Sequence, residues 1–445
     1  MSMQRLEFLV KLERLLNGIP DSERKEIMSD FETHFAEARE MGKTDDEIVR
    51  SLGSVQSIAD EIIEQYRPHA APAGGSGTEK PSSGERESSF QAGGLNFELP
   101  NYHHDSLEGN QPYGYMGSAI HAANIMTDVT DVFIESYDGD TFTYRFDTSD
   151  PEQYEVTEEV VHDTYNIKVI LRRTGAKRFF SLMSSAGADL YVRVPQSFRG
   201  SMRLNSNSGD VKLRYLQNEQ IRIQLNSGDA SIENSSIGLL RADAKSGDVE
   251  IENCRFGVLE VEALSGDLAV ENVAAQRVRL NSTSGDLELE GVEAEELVME
   301  LLSGDLEVRN GRGERWSCST ASGDVKLERI AADVEAASAS GDVTVQDICG
   351  TLRVDVKNGD IRCAVGPETG ACDIGNVAGS IDLRIASSTR QMQLEASALL
   401  GDLSLNVPLL QRRRGSGGFF EGGIGEGGPL VRLSTKVGDV NVNMD

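Results

Sequence analysis

Between positions 201 and 360 the apolar residues fall in short alternating groups that return at a fixed interval. Counting forward from Gly285, the apolar positions are Leu287 and Leu289, then Val292, then Leu297, Met299 and Leu301. Counting from Gly247, Val249, Ile251, Cys254, Leu259, Val261 and Ala263 occupy the same offsets. A spacing of two within each group predicts strands with one buried face, the other face carrying Glu, Arg and Lys. Two strands and two turns fit one interval, and a helix of ordinary length does not. Equivalent positions stacked coil on coil, at about 4.8 Å per coil, give parallel pairing. The fold class expected is therefore mainly β: a flattened parallel β-solenoid, two sheets facing each other across a shared interior. Ala242, Ala244, Ser282, Thr320 and Ala336 at inward positions make that interior thin.

A tripeptide marks the interval. Ser-Gly-Asp supplies Gly209-Asp210, Gly228-Asp229, Gly247-Asp248, Gly266-Asp267, Gly285-Asp286, Gly304-Asp305 and Gly323-Asp324 at steps of 19 residues. Gly341-Asp342 and, after Asn358, Gly359-Asp360 follow at steps of 18, with blurred echoes at Gly401-Asp402 and Gly438-Asp439. Such periodicity marks stacked units that cannot bury their apolar faces alone. Gly takes the positive φ of a sharp corner without steric cost, and Asp and Ser can bond nearby backbone N–H groups. The corners are read as structural turns. Stacked aspartates raise the question of a calcium ladder, but the G-G-x-G-x-D-x-U-x signature of Ca²⁺-binding β-rolls is not present, and no metal or cofactor is expected.

Residues 1–67 have a helical period instead. Leu6, Leu9, Val10, Leu12, Leu15 and Leu16 form one apolar face; Ile27, Met28, Phe31, Phe35 and Ala38 form a second. Thr44-Asp45-Asp46-Glu47 is a capping box that starts a third helix, and Ile58, Ile62, Ile63 and Tyr66 fit a fourth. Phe31 and Phe35 read as core, and Asp30 with His34 as a surface pair on one helix face. A Pro/Gly/Ser stretch over 68–94 reads as a flexible linker. Residues 95–200 read as the N-terminal cap and first strands of the β domain, covering an otherwise open sheet end. The solenoid proper occupies 201–445.

Composition narrows the function. The chain of 445 residues carries a formal charge of −30, and residues 201–360 hold 30 acidic against 16 basic side chains. Such a surface repels phosphate backbones, so nucleic-acid binding by the repeats is not expected. No run of 18 apolar residues is present, and Met-Ser-Met-Gln-Arg leads straight into charged helix without an apolar leader. Five cysteines without a Cys-x-x-Cys pair read as buried thiols in a reducing compartment. The expected location is cytoplasmic, with peripheral membrane contact at most.

Two resemblances add a setting. Ile19-Pro20, Glu23-Arg24, Ile27, Asp30-Phe31, His34-Phe35, Ala38, Gly42-Lys43-Thr44, Glu47-Ile48 and Ser51-Leu52-Gly53 resemble the HAAS family. That resemblance implies a bacterial helical signalling domain of the kind found beside PadR-type regulators, often ahead of transmembrane helices that are missing here. Residues 125–445, through Tyr191-Val192-Arg193-Val194-Pro195 and the Ser-Gly-Asp recurrence, resemble the adhesin-like β-repeat or toastrack family. That resemblance implies bacterial envelope-stress or signalling roles.

The repeat rhythm breaks at 411–428, where Arg412, Arg413 and Arg414 precede a glycine-rich stretch around Phe419 and Phe420. No helix with Lys-Ser/Thr follows, so a P-loop is excluded. Three arginines beside two exposed phenylalanines are a candidate contact for anionic lipid or an acidic partner, against the plainer reading of a mobile loop. His103, His104 and His121 lack partners at ligand spacing. No nucleophile elbow or His-Glu-x-x-His occurs, and turns of three or four residues leave no room for an enzymatic cleft. The expected function is a non-enzymatic interaction protein whose helical domain docks a regulator or membrane signalling protein and whose solenoid is sensor or binding surface. The alternatives are a surface adhesin or structural protein and a β-helix polysaccharide-active enzyme; self-association through the solenoid ends is a further expectation.

Overall fold

The computed structural model describes residues 5–16, single positions between 24 and 59, and 115–116, 120–172, 187–408, 411–414 and 418–445. The 68–94 segment, the Asp30/His34 pair, His103 and His104 lie outside the described residues. Two compact units result, one containing residues 1–103 and one containing 187–445.

In the first unit, helix Arg5–Leu15 buries Phe8, Leu9 and Leu12, with Leu16 just beyond it. At 100° per residue these four positions share one stripe. Phe31, Phe35, Ile48, Val55 and Ala59 complete the core, and the Phe8 ring lies 6.0 Å from that of Phe31 and 5.9 Å from that of Phe35. Val10, placed on the apolar face by the sequence pattern, is exposed; its position on the helix lies well off the stripe. The Ile48 N–H donates to the Thr44 carbonyl at 3.0 Å, closing the first turn after the capping Thr.

The second unit is a parallel stack. Leu306–Ser322, Val325–Ser340 and Val343–Asn358 each run as one continuous strand, whereas the earlier repeats have a four-residue strand and a longer one, as in Val249–Glu252 and Arg255–Ala263. Both pair in parallel with their counterparts one repeat on: Val249 with Leu268, Arg255 with Ala274. Inward positions stack in columns. One runs Leu204, Ile223, Ala242, Val261, Leu280, Met299, Cys318, Ala336 and Val354, every member buried. The step shortens from 19 to 18 at a β-bulge: Arg312 faces Ala331 but Arg315 faces Asp333, so two residues oppose one. The buried Trp316 ring packs against Gly311 and Gly313 beside this bulge. Its indole N–H donates to the Ala294 carbonyl at 3.0 Å, and a Cβ on Gly313 would lie 2.3 Å from that nitrogen.

Both ends are closed in the same way. Strands Ala122–Val129 and Asp131–Tyr137 lie inside the stack, between Thr164–Leu171 with Ala188–Pro195 on one side and the first Ser-Gly-Asp coil on the other. Strand Thr141–Thr148 then runs antiparallel along Ala188–Pro195. At the other end Leu430–Val437 and Val440–Met444 fill a place between Thr369–Ala378 with Ile381–Ile385 and Met392–Leu400 with Leu403–Asn406. Strand Phe419–Ile424 runs antiparallel on Met392–Leu400. Antiparallel strands thus cover edges that would otherwise template pairing with another chain.

Candidate functional site

The Ser-Gly-Asp corners form one continuous hydrogen-bonded edge. Gly209, Gly228, Gly247, Gly266, Gly285, Gly304, Gly323, Gly341 and Gly359 all have φ between +109° and +145°, a region that L side chains rarely adopt. Space excludes a side chain as well: a Cβ on Gly285 would lie 2.0 Å from the Gly266 carbonyl oxygen. The aspartates bond between coils rather than within their own turn. Asp229 Oδ1 accepts the Asp248 N–H at 2.8 Å, and Asp248, Asp267, Asp286 and Asp305 repeat the contact with the next aspartate at 2.8 Å. The ladder starts at Asp131, which accepts from Asp210, and runs through Asp210, Asp324, Asp342 and Asp360 to the Ser380 N–H. Beyond Ser380 it continues out of sequence order, Asp439 Oδ1 accepting from Asp402 at 2.8 Å. The corner carboxylates therefore satisfy backbone donors where no strand ladder reaches them. Among the described residues no three His, Cys, Asp or Glu side chains are grouped to hold a metal ion.

A second corner was not recognised from the sequence. Asn234, Asn253, Asn272 and Asn310 have φ of 51–54°, with Gly291 at 66° and Arg329 and Asp347 at 55° in the same place on other coils. Asn tolerates the left-handed region better than other non-glycine residues. The recurrence of Asn at the repeat interval was the available signal, hidden beneath the louder tripeptide.

Residues 411–414 and 419–424 are paired antiparallel strands, where the plainer reading expected a loop. Strand alternation separates the two phenylalanines. Phe419 is 39% exposed, whereas Phe420 is 5% exposed and pairs with Ala396. The expectation of two exposed phenylalanines is corrected accordingly, and of that pair only Phe419 is open to contact. Arg412, Arg413 and Arg414 lie on the outer strand, in register with Gly422, Glu421 and Phe420. The neighbouring corner carries exposed Leu399, Leu400 and Val437, aligned across strands in the register Leu400 to Val437.

The outward face of the long strands is a charged lattice. Arg315 meets Glu296 at 2.7 Å, Arg353 meets Glu335 at 3.6 Å, and Arg432 meets Glu395 at 3.0 Å. The Arg315 guanidinium, with Arg277 on the other side, holds the Glu296 carboxyl below its ordinary range. A shallow groove of about 570 Å³ crosses this lattice, lined by Glu296, Arg315, Glu335, Arg353, Asp373 and Arg432 among others. Solvent screens such exposed pairs strongly, so the lattice defines a surface more than it stabilises the fold. Four of the five thiols are buried, and burial pushes those of Cys254, Cys318 and Cys372 up to about 12. Cys349, placed inward or in a turn by the repeat, is half-buried and bonds Glu368 at 3.1 Å.

This stack of parallel coils matches the model of one family, Toastrack DUF4097, over residues 120–288, 240–346 and 290–443. The chain belongs to the Toastrack DUF4097 family. Residues 7–61 match the HAAS family model. No curated protein matches the chain. A solved structure, that of a "putative cell adhesion protein" from Clostridium sporogenes ATCC 15579, is similar at 9% identity over 75% of this chain and 97% of that one, with a TM-score of 0.17. At that score the two chains do not superpose as wholes. No helix among the described residues of this toastrack protein is long and apolar enough to cross a membrane.

Proposed function

We propose that this toastrack protein is a non-enzymatic interaction scaffold in bacterial envelope-stress or transcription-linked signalling. In this reading the HAAS segment docks a regulator or membrane signalling protein, and the acidic solenoid is the sensing or binding surface. The carrying observation is the combination in one chain: a HAAS match over 7–61 and a parallel stack over 120–443. The stack suits a binding role because its outward side chains stand at positions fixed by strand register. Catalysis has less to work with, since the corners are short and the four buried thiols are far from ionising. The domain limits 1–67, 68–94, 95–200 and 201–445 belong to the same proposal, as does a cytoplasmic location. Phe419 with Arg412, Arg413 and Arg414 is the contact we assign to an acidic partner or anionic lipid, and the Ser-Gly-Asp corners are assigned a structural role.

Affinity capture from native lysate tests this reading, with the full chain and a chain lacking residues 1–67 as baits. Recovery of a regulator or membrane signalling protein by the full chain only is the expected result. Recovery of glycan or lipid by both baits, with no protein partner, would replace signalling with envelope binding.

A further inference from the structure

The central outward row of the long strands reads, coil by coil, Asn166, Asn124, Arg203, Arg222, Arg241, Glu260, Arg279. From Arg241 onward each arginine of the row has an acidic cross-strand neighbour. Arg241 itself meets Asp243, Glu260 and Glu262 at 3.2–3.8 Å, and farther along Arg353 and Arg432 have acidic cross-strand neighbours. Arg203 is the exception. Its neighbours are Ser201 and Asn205 along the strand, Asn124 and Arg222 across it, and Ala122, Met126, Gln220 and Gln224 on the diagonals. None is acidic. Arg203 makes no ion pair or side-chain hydrogen bond among the described residues. Arg222 reaches one carboxylate, Asp243 at 3.1 Å, and its Nε is buried without a hydrogen-bond partner.

Two guanidinium groups on adjacent strands repel each other, and the one carboxylate that Arg222 reaches, Asp243, stands on the strand beyond it, on the side away from Arg203. The arrangement is the more pointed in a chain of charge −30. A cavity of about 320 Å³ opens at this place, and its lining among the described residues includes Arg203, Arg222, Asn124, Thr164, Ser201 and Gln220 but no carboxylate. The lining therefore offers two planar cationic forks together with hydroxyl and amide donors, the donor set that recognises an oxyanion.

We infer that this cavity is a binding site for an oxyanion, a phosphate group or the carboxylate of an acidic sugar, held between Arg203 and Arg222. The bound anion replaces the missing carboxylate in the lattice and supplies an acceptor to Arg222 Nε. The inference is independent of the signalling proposal, because it needs neither the HAAS segment nor a protein partner.

The test is site-resolved. The full chain is modified with phenylglyoxal at constant ionic strength in chloride, in inorganic phosphate or in glucuronate, and arginine-containing peptides are mapped by mass. Protection of Arg203 and Arg222 is expected in at least one of the two anions, while Arg432, paired with Glu395, reacts alike in all three solutions. Which anion protects identifies the source. Calorimetric titration of the full chain with the protecting anion, repeated on Arg203→Gln, should show binding weakened about tenfold, with Arg432→Gln unchanged. Failure of both anions to protect either arginine, or undiminished binding in Arg203→Gln, overturns the site.

Discussion

Replacing Gly285 with Ala perturbs the corner where its geometry is most demanding. Gly285 has φ +130°, and the added Cβ would lie 2.0 Å from the Gly266 carbonyl oxygen, 2.6 Å from its carbon and 3.1 Å from Asp267 Oδ1. The first two neighbours are backbone and cannot rotate away. The unfavourable φ alone costs about 1–3 kcal/mol. Relieving the contact separates two coils locally and loosens the bond from the Asp286 N–H to Asp267 Oδ1, now 2.8 Å, for about another 1 kcal/mol. A total near 3 kcal/mol follows. Urea unfolding monitored by Trp316, the single tryptophan, reads it as a lower midpoint, because each coil is supported mainly by its neighbours. Gly366→Ala is the control: nothing lies within 4 Å of its added Cβ, and its unfolding free energy should stay within about 0.5 kcal/mol of the parent, leaving the midpoint essentially unmoved. Equal midpoints for Gly285→Ala and Gly366→Ala would refute the corner as a steric requirement.

Asp286→Ala removes the acceptor for the Asp305 N–H and should cost about 1 kcal/mol; Asp286→Asn keeps an oxygen there and should cost less, read in the same urea assay. Burial, opposed by the bond from the Asp210 N–H and aided by the Asp210 and Asp189 charges, raises the Asp131 carboxyl above 3.8. The native state therefore holds this proton to higher pH than the unfolded chain, so its stabilising effect is present below 3.8 and is lost as pH rises through the raised value. Asp131→Asn should keep the Asp210 bond and flatten that part of the thermal-stability profile over pH 3–7. Trp316 is 2% exposed, which predicts blue-shifted emission that resists acrylamide, and red-shifted, quenchable emission in urea. Titration with a thiol reagent should find one reactive group per native chain, Cys349, and five after denaturation.

The strands of the repeats were legible because one force sets their pattern. Alternation with period two is what a half-buried strand must have, and Leu287, Leu289, Leu297 and Met299 carry it without interruption. The Ser-Gly-Asp corner was visible for a related reason, since few residues tolerate its φ. What the aspartate does there was not visible: its partner is the N–H of the next coil, a contact defined only once coils are stacked in register. The inserted end coils escaped notice because strand order in space departs from chain order there, and alternation says nothing about which strand lies beside which. Strand Ala122–Val129, with the polar Thr127 at an inward position and Met126 exposed, also lacks the strong pattern of the repeats. Phe420 was misplaced because the glycine-rich stretch concealed a two-residue period. The unpaired Arg203 is a property of eight neighbours on three strands, and no linear pattern encodes it.

Hydrogen exchange on the full chain, alone and bound to the partner recovered by capture, tests the central claim most directly. The scaffold account predicts new protection within 7–61, with the coil strands over 201–406 already slow to exchange in both states. Protection confined to the solenoid, with 7–61 exchanging as in the free chain, would contradict docking through the helical segment.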